Sequence, residues 1–254
     1  MKHVFNGVGV ALVTIFTPDG EVDPGSTGKL AADLVARGMR AVLVAGTTGE
    51  AVTLEAGERR DLIEAVREAA PSDVPVVAGT GAPSIRQAAA LTTDAVAAGA
   101  DAVLAWPPPL AAGPEGYFTA VAEAAAGLPV LAYHFPRVYP PGIPVDVLAR
   151  LPIAGVKDSS GDPDRLLDEF AHYPGATYVG SSALLAMAGP MGGAGALLAL
   201  ANVEPERCVA AFAGDAQAQR ALAGGHLALR GGAPAVLKRT LAQTHGLSPA
   251  VRLG

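Results

Sequence analysis

Ile153-Ala154-Gly155-Val156-Lys157-Asp158-Ser159-Ser160-Gly161 is a short apolar run that breaks into hydroxyl residues and glycine, and an amphipathic stretch over 163–173 follows it. Runs of Val, Ile, Leu and Ala with few polar interruptions are how strands buried on both faces read in a parallel sheet. The same unit recurs along the chain. Strands are predicted at 8–17, 41–48, 74–80, 101–107, 129–136, 153–159, 177–182 and 196–202. Helices are predicted between them. The first runs from Asp23 to Arg37, with Asp23 as N-cap and Gly38 just past the end. The second opens at Thr53-Leu54-Glu55 and buries the stripe Leu62, Ile63 and Val66. Others are expected over 83–98, 114–126, 145–151, 163–173 and 183–188.

Eight strands alternating with helices in 254 residues predict an α/β fold: a closed (β/α)8 barrel, or TIM barrel. The chain reads as a single domain, 1–254. The barrel is expected over 1–203, and a short C-terminal helical extension over 204–254, with helices at 204–225 and 233–244. An open doubly wound sheet would carry a Gly-rich fingerprint after its first strand. This chain has Thr17-Pro18-Asp19-Gly20 there, which is a turn.

Half of the residues are hydrophobic and only 5% are aromatic, so a large core must be built from small and branched aliphatics. The formal net charge is −6, and no Lys/Arg cluster is present to neutralise a phosphate backbone. Nucleic acid is therefore not an expected partner. Lys2 followed by the apolar run 8–16 resembles a signal peptide only faintly, because no small-residue cleavage pattern follows. No apolar run reaches the roughly 18 residues needed to span a membrane. The single cysteine, Cys208, forms no internal disulfide and reads as a small core residue. No membrane partner is expected, and a cytoplasmic location is.

Active sites of such barrels lie at the C-terminal ends of the strands. Three strand ends carry reactive residues: Gly46-Thr47-Thr48-Gly49-Glu50, Tyr133-His134-Phe135-Pro136 and Gly155-Val156-Lys157-Asp158. Strand alternation puts Ile153, Gly155 and Lys157 on one face and Ala154, Val156 and Asp158 on the other. If Val156 packs on the helices, Lys157 points into the barrel, where desolvation lowers its pKa. A neutral amine there attacks a ketone and forms an imine. The alternative is a lysine that snorkels from the strand end and pairs with Asp158. Tyr133 shares its phase with Leu131 and Phe135, so it faces inward either as a proton donor or as a core aromatic. Gly46, Thr47 and Thr48 can present N–H groups and hydroxyls to a carboxylate, or form an ordinary turn.

Other motifs carry less. None of His3, His134, His172, His226 and His245 has metal-ligand spacing, so no metal is expected. His134 is out of phase with Tyr133 and should face the helices. Gly189-Pro190-Met191-Gly192-Gly193-Ala194-Gly195 leads into a strand, so it reads as a turn at the opposite rim.

In order, Gly46–Glu50, Gly79-Thr80-Gly81, Tyr133-x-x-Pro136, Gly155-Val156-Lys157-Asp158, Gly180-Ser181 and the stretch from Gly192 to Asn202 resemble the motifs of the dihydrodipicolinate synthase / N-acetylneuraminate lyase family. The likeness covers nearly the whole chain. It implies a class I aldolase or lyase with no separate cofactor. Lys157 would form the imine with pyruvate or another 2-keto acid. Tyr133 would move protons, oriented by Thr47, while Thr47, Thr48 and Gly46 would hold the keto-acid carboxylate. Gly180 would also bind substrate, and Arg137 is the arginine nearest to the place from which, in those synthases, an arginine grips the second substrate's carboxylate. The expected partners are a small 2-keto acid and an aldehyde, and the expected assembly is a homo-oligomer, dimer or tetramer. A hydratase-aldolase, a dehydratase or a non-catalytic keto-acid-binding relative would share the same first step or site.

The chain departs from the family pattern in three places. A second tyrosine that completes a proton relay belongs after strand 4, where this chain has Trp106-Pro107-Pro108-Pro109-Leu110. Tyr117 and Tyr139 are the alternatives for that position. Arg137 follows Pro136 directly and leads into Val138-Tyr139-Pro140-Pro141. The C-terminal helical part is shorter than usual.

Overall fold

The computed structural model describes residues 3–108, 113–230 and 232–253. Its core is a closed barrel of eight parallel strands in chain order: β1 (Gly7–Ala11), β2 (Val42–Val44), β3 (Val76–Gly79), β4 (Ala102–Ala105), β5 (Val130–His134), β6 (Gly155–Asp158), β7 (Ala176–Val179) and β8 (Gly195–Leu198). β8 pairs with β1 and closes the ring. The expected (β/α)8 fold is what forms.

Alternation along each strand splits the apolar residues into two groups. Val10, Val42, Val76, Val103, Val130 and Val156 pack outward against the helices. Ala41, Leu43, Val77, Leu104, Leu131 and Leu197 fill the barrel interior. At the lower rim Phe5 stacks on Tyr178, with centroids 4.7 Å apart. The Tyr178 hydroxyl accepts the Val4 N–H and donates to the Phe5 carbonyl, both at 3.1 Å. The barrel is thus filled below and can open only above, at the C-terminal ends of its strands.

The helices between the strands are α1 (Pro24–Ala36), α2 (Ala56–Ala69), α3 (Ile85–Ala97), α4 (Glu115–Ala124), α5 (Val145–Leu148), α6 (Pro163–His172) and α7 (Leu185–Ala188). Asp23 caps α1 by accepting the Ser26 N–H at 2.9 Å, and Gly38 follows the helix with φ +101°, as expected. Glu55 and Glu58 form a reciprocal capping box at the start of α2.

The strands are shorter than the apolar runs. The run 8–17 leaves the sheet after Ala11, because side chains take over its N–H groups: Val13 donates to Asn202 and Ile15 to Thr27. The run 41–48 stops at Val44 and turns into a 3₁₀ segment, Thr47–Gly49. These trimmed ends become the loops of the upper rim.

The C-terminal segment also differs. The single helix expected over 204–225 is three helices, α8 (Pro205–Phe212), α9 (Ala216–Ala221) and α10 (Ala223–Leu229). Gly214 has φ +100° and stops α8, and Asp215 then caps α9 by accepting the Gln217 and Ala218 N–H groups. α8 packs against β1 and α7, so it closes the helical ring of the barrel. α11 (Ala233–His245) follows near its expected place. Among the described residues no helix is long and apolar enough to cross a membrane.

Candidate active site

β5 and β6 are in register so that Tyr133 lies opposite Lys157. Both face inward, at 5% and 4% exposure. The Lys157 Nζ sits 4.6 Å from the centroid of the Tyr133 ring. Asp158 and His134, one residue further on, face the helices. Asp158 accepts Arg165 Nε at 3.1 Å and the Ser160 N–H at 2.6 Å. His134 Nδ1 accepts the Ile143 N–H at 2.9 Å. The pairing of Lys157 with Asp158, open from the sequence, is therefore absent: the two residues point to opposite faces. Burial alone lowers the Lys157 pKa to about 7. Burial pushes the Tyr133 phenol up to about 12, although the Ser159 and Thr47 hydroxyls beside it pull the other way.

Lys157 and Tyr133 lie in a cavity of about 370 Å3, which Thr47, Thr48, Arg137 and Gly180 also line. Gly180 is there for space. A Cβ at that position would fall 1.9 Å from Ser159 Oγ and 3.2 Å from Lys157 Cε. Gly46 does not line the cavity. Its carbonyl accepts the Gly49 and Ala51 N–H groups and so shapes the turn that presents Thr47 and Thr48.

That turn is flanked by two non-glycine residues in the left-handed region, Ala45 (φ 52°) and Glu50 (φ 57°). Each costs about 1 kcal/mol. The wholly buried Glu50 is held from the far end of the chain. Lys238 Nζ lies 2.6 Å from its Oε1, and the main-chain N–H groups of Arg252 and Leu253 donate to its Oε2 at 2.8 and 2.9 Å. Arg252 also forks onto Glu58. The sequence reading missed this clamp. Its only sequence signal is the glutamate of Gly46–Glu50, and its partners lie some 190 to 200 residues away.

Tyr139 also joins the site. Its hydroxyl is 3.1 Å from Thr47 Oγ1, and its ring stacks on Trp106 with centroids 4.2 Å apart and planes 10° apart. Tyr133 approaches it edge-on at 5.8 Å. Tyr117, the other alternative, is buried beneath the helix layer, where its hydroxyl accepts the Ala82 N–H at 3.2 Å. Of the proline run expected to hold a relay tyrosine, Pro109 and Leu110 lie outside the described residues.

A lysine whose pKa burial lowers to about 7 at the mouth of a (β/α)8 barrel, beside a buried phenol, defines an enzyme of class I aldolase type. A sequence model of the Dihydrodipicolinate synthetase family matches residues 4–227. The chain belongs to that family. A 4-hydroxy-tetrahydrodipicolinate synthase of Nitrosospira multiformis is 39% identical over 226 residues, which cover 84% of this chain and 75% of the relative. The crystal structure of a dihydrodipicolinate synthase from Bacillus anthracis has a TM-score of 0.89 at 28% identity, covering 99% of this chain and 92% of that one. YagE of Escherichia coli K12, solved in complex with pyruvate, has a TM-score of 0.88 at 26% identity, over 97% and 91% of the two chains.

Proposed function

We propose that this enzyme joins pyruvate, or a related 2-keto acid, to an aldehyde, or cleaves the corresponding aldol, through an imine on Lys157. The observation that carries this is the buried Lys157 amine: its pKa is near 7, and its partner face holds Tyr133 rather than a carboxylate. Pyruvate enters as the substrate because a solved relative binds it.

The steps follow from these groups. The neutral Lys157 amine adds to the C2 carbonyl and gives a carbinolamine. A phenol with its pKa pushed up to about 12 is protonated at neutral pH, so Tyr133 enters as a donor. Its proton lets the carbinolamine hydroxyl leave as water, and a C=N bond forms. The iminium draws electrons from C3, which gives up a proton and becomes the enamine carbon. That carbon attacks the aldehyde carbonyl, a C–C bond forms, and the oxygen takes a proton. Water then hydrolyses the imine and restores Lys157. Thr47 and Thr48 hold the keto-acid carboxylate. Thr47, whose hydroxyl lies 3.1 Å from that of Tyr139 and which also acts on the Tyr133 phenol, serves as the route by which the proton is moved and returned. Tyr139 would in this way supply, from the same chain, the relay phenol that the proline run lacks.

The test is borohydride reduction in the presence of pyruvate, followed by peptide mass spectrometry. The expected result is a reduced adduct on the peptide that contains Lys157 and none in Lys157→Ala. Absence of an adduct with pyruvate and with other simple 2-keto acids would falsify the proposal.

A further inference from the structure

Arg59 is a half-buried cation with no acid beside it. It stands in the first turn of α2, where a positive charge works against the helix dipole, so helix stability does not account for it. Among the described residues it takes part in no ion pair. Glu58, next to it in the chain, is taken by Arg252, and Glu50 is taken by Lys238. Burial opposes the Arg59 charge, and no carboxylate offsets it.

Main-chain carbonyls hold the guanidinium instead. Nη1 donates to Gly79 at 3.0 Å, Nη2 to Ala51, and Nε to Leu54 at 3.4 Å. Ala51 and Leu54 lie on the chain that leaves the turn carrying Thr47 and Thr48, and Gly79 ends β3. Arg59 thus pins that chain to the barrel. The loop after β3 serves the same place: at Gly81 a Cβ would fall 2.2 Å from Trp106 Cδ1, so the glycine leaves room for the indole that stacks on Tyr139. Thr47, Trp106 and Arg59 are in this way gathered round one phenol. Burial raises the Tyr139 pKa, and the Thr47 hydroxyl and the Arg59 charge pull it down. The other four tyrosines have no such opposing charge: burial pushes up Tyr117, Tyr133, Tyr173 and Tyr178, and no cation counters it. Lys157 lies over the Tyr133 ring, but burial lowers its pKa to about 7, so it is neutral where phenols ionise.

We infer that Arg59 is a positioning residue for the proton relay: its fixed charge makes Tyr139, rather than Tyr133, the phenol that gives up a proton and holds the negative charge. This rests on the relay role proposed above for Tyr139. When Tyr133 protonates the leaving hydroxyl of the carbinolamine, Thr47 passes a proton to Tyr133 and takes one from Tyr139. The phenolate then rests beside the guanidinium. The proton released from C3 returns along the same route and restores Tyr139.

The probe is pyruvate alone in deuterated water, because exchange of its methyl protons reports imine and enamine formation without a second substrate. Arg59→Gln keeps donors for the carbonyls and removes the charge, whereas Arg59→Lys keeps the charge and loses the fork. Arg59→Gln should lower kcat for exchange by about threefold to tenfold with little change in KM, and Arg59→Lys should stay within about twofold of the wild type. In a Tyr139→Phe background Arg59→Gln should cost nothing further. An equal loss in the two Arg59 variants, or an undiminished loss in the Tyr139→Phe background, makes Arg59 a structural tie only and overturns the inference. A second arm needs no Arg59 variant to fold. Carbon-13 NMR of ring-labelled tyrosine in the wild type, assigned with Tyr139→Phe, should show Tyr139 ionising before Tyr133, and Arg59→Gln should delay it. Tyr133 ionising first in the wild type overturns the inference. Unchanged exchange in Tyr139→Phe counts against the relay alone, and the titration then still decides whether Arg59 acts on the phenol.

Discussion

The Tyr139 hydroxyl lies 3.1 Å from Thr47 Oγ1, although the two residues are 92 positions apart. The turn after β5 brings Tyr139 over the strand ends, and Trp106 stacks flat against its ring and fixes it. A residue held in this way has little freedom to lose when it hands on a proton.

Tyr139→Phe tests that role with the stack left in place. The expected outcome is a fall in kcat of about tenfold to a hundredfold, within the usual range for a proton-transfer group. Pyruvate trapping should survive at reduced rate, and the rate should lose part of its dependence on pH. An equal fall in Tyr139→Phe and Trp106→Ala, with both pH profiles unchanged, would mean that the ring only packs.

Imine formation should follow the state of Lys157. Burial lowers its pKa to about 7, so below that pH the amine is protonated and cannot attack. The single-turnover rate of adduct formation should therefore rise with pH up to about 7 and then level off. An exposed lysine would keep gaining rate to pH 10. A continued tenfold gain per pH unit above 8 would show that Lys157 is not desolvated in the working enzyme.

Alternation made the barrel and its inward residues legible from the sequence. It placed Lys157 with Gly155 and Tyr133 with Leu131 on the inner face, and it sent His134 outward, as found. It did not show where strands end, because the ends depend on which acceptor takes each N–H. Asn202 and Thr27 take those of Val13 and Ile15, and no local pattern announces that. The helices after β8 failed for a related reason: Gly214 lies in a stretch otherwise rich in Ala, Gln and Leu, which reads as one helix. His226 and Arg230 gave no signal at all. His226 has no partner at metal-ligand spacing in the sequence, and only the fold brings α10 over the strand ends, where both residues line the cavity.

The Glu50 clamp ties the C-terminus to the loop that carries Thr47 and Thr48. Lys238 and Glu50 are both wholly buried and 2.6 Å apart. Removing one member of such a pair leaves a buried charge without its partner, at a cost of about 3 kcal/mol. Lys238→Met should lower the melting temperature by several degrees and weaken pyruvate binding, because the left-handed Glu50 then loses one of its holds. Deleting residues 250–254 should do the same, since it removes the two N–H donors, the Arg252 fork on Glu58 and the Ala250 carbonyl that accepts from Lys238, although the Lys238–Glu50 pair stays. Unchanged pyruvate affinity in both variants would sever the link between the tail and the Thr47 turn.

Glu169, on the barrel-facing side of α6, is wholly buried, and neither carboxylate oxygen has a hydrogen-bond partner. Burial and then the Asp158 charge push its pKa up to about 8, and Arg165, 3.1 Å from Oε1, opposes the shift without reversing it. In the unfolded chain the group ionises near 4.5. The folded state thus keeps a proton that the unfolded state gives up between pH 4.5 and about 8. Its stabilising effect is complete below 4.5, shrinks as pH rises and is gone above about 8. His134 acts in the opposite sense: burial and Arg165 lower its pKa from 6.5 to about 4, so its contribution is present above 6.5 and lost as pH falls toward 4. Between pH 6.5 and 8 the His134 effect is constant, and two groups set the slope: Glu169 lowers stability as pH rises, while Lys157, whose pKa burial lowers from 10.5 to about 7, raises it above that pH. Glu169→Gln keeps the shape and removes the titration. The Lys157 contribution is common to both proteins, so the melting temperature of the variant should gain steadily on that of the wild type across that window, and the difference should level off above about 8. Parallel curves would mean that Glu169 is already ionised in the folded protein and that Arg165 outweighs burial.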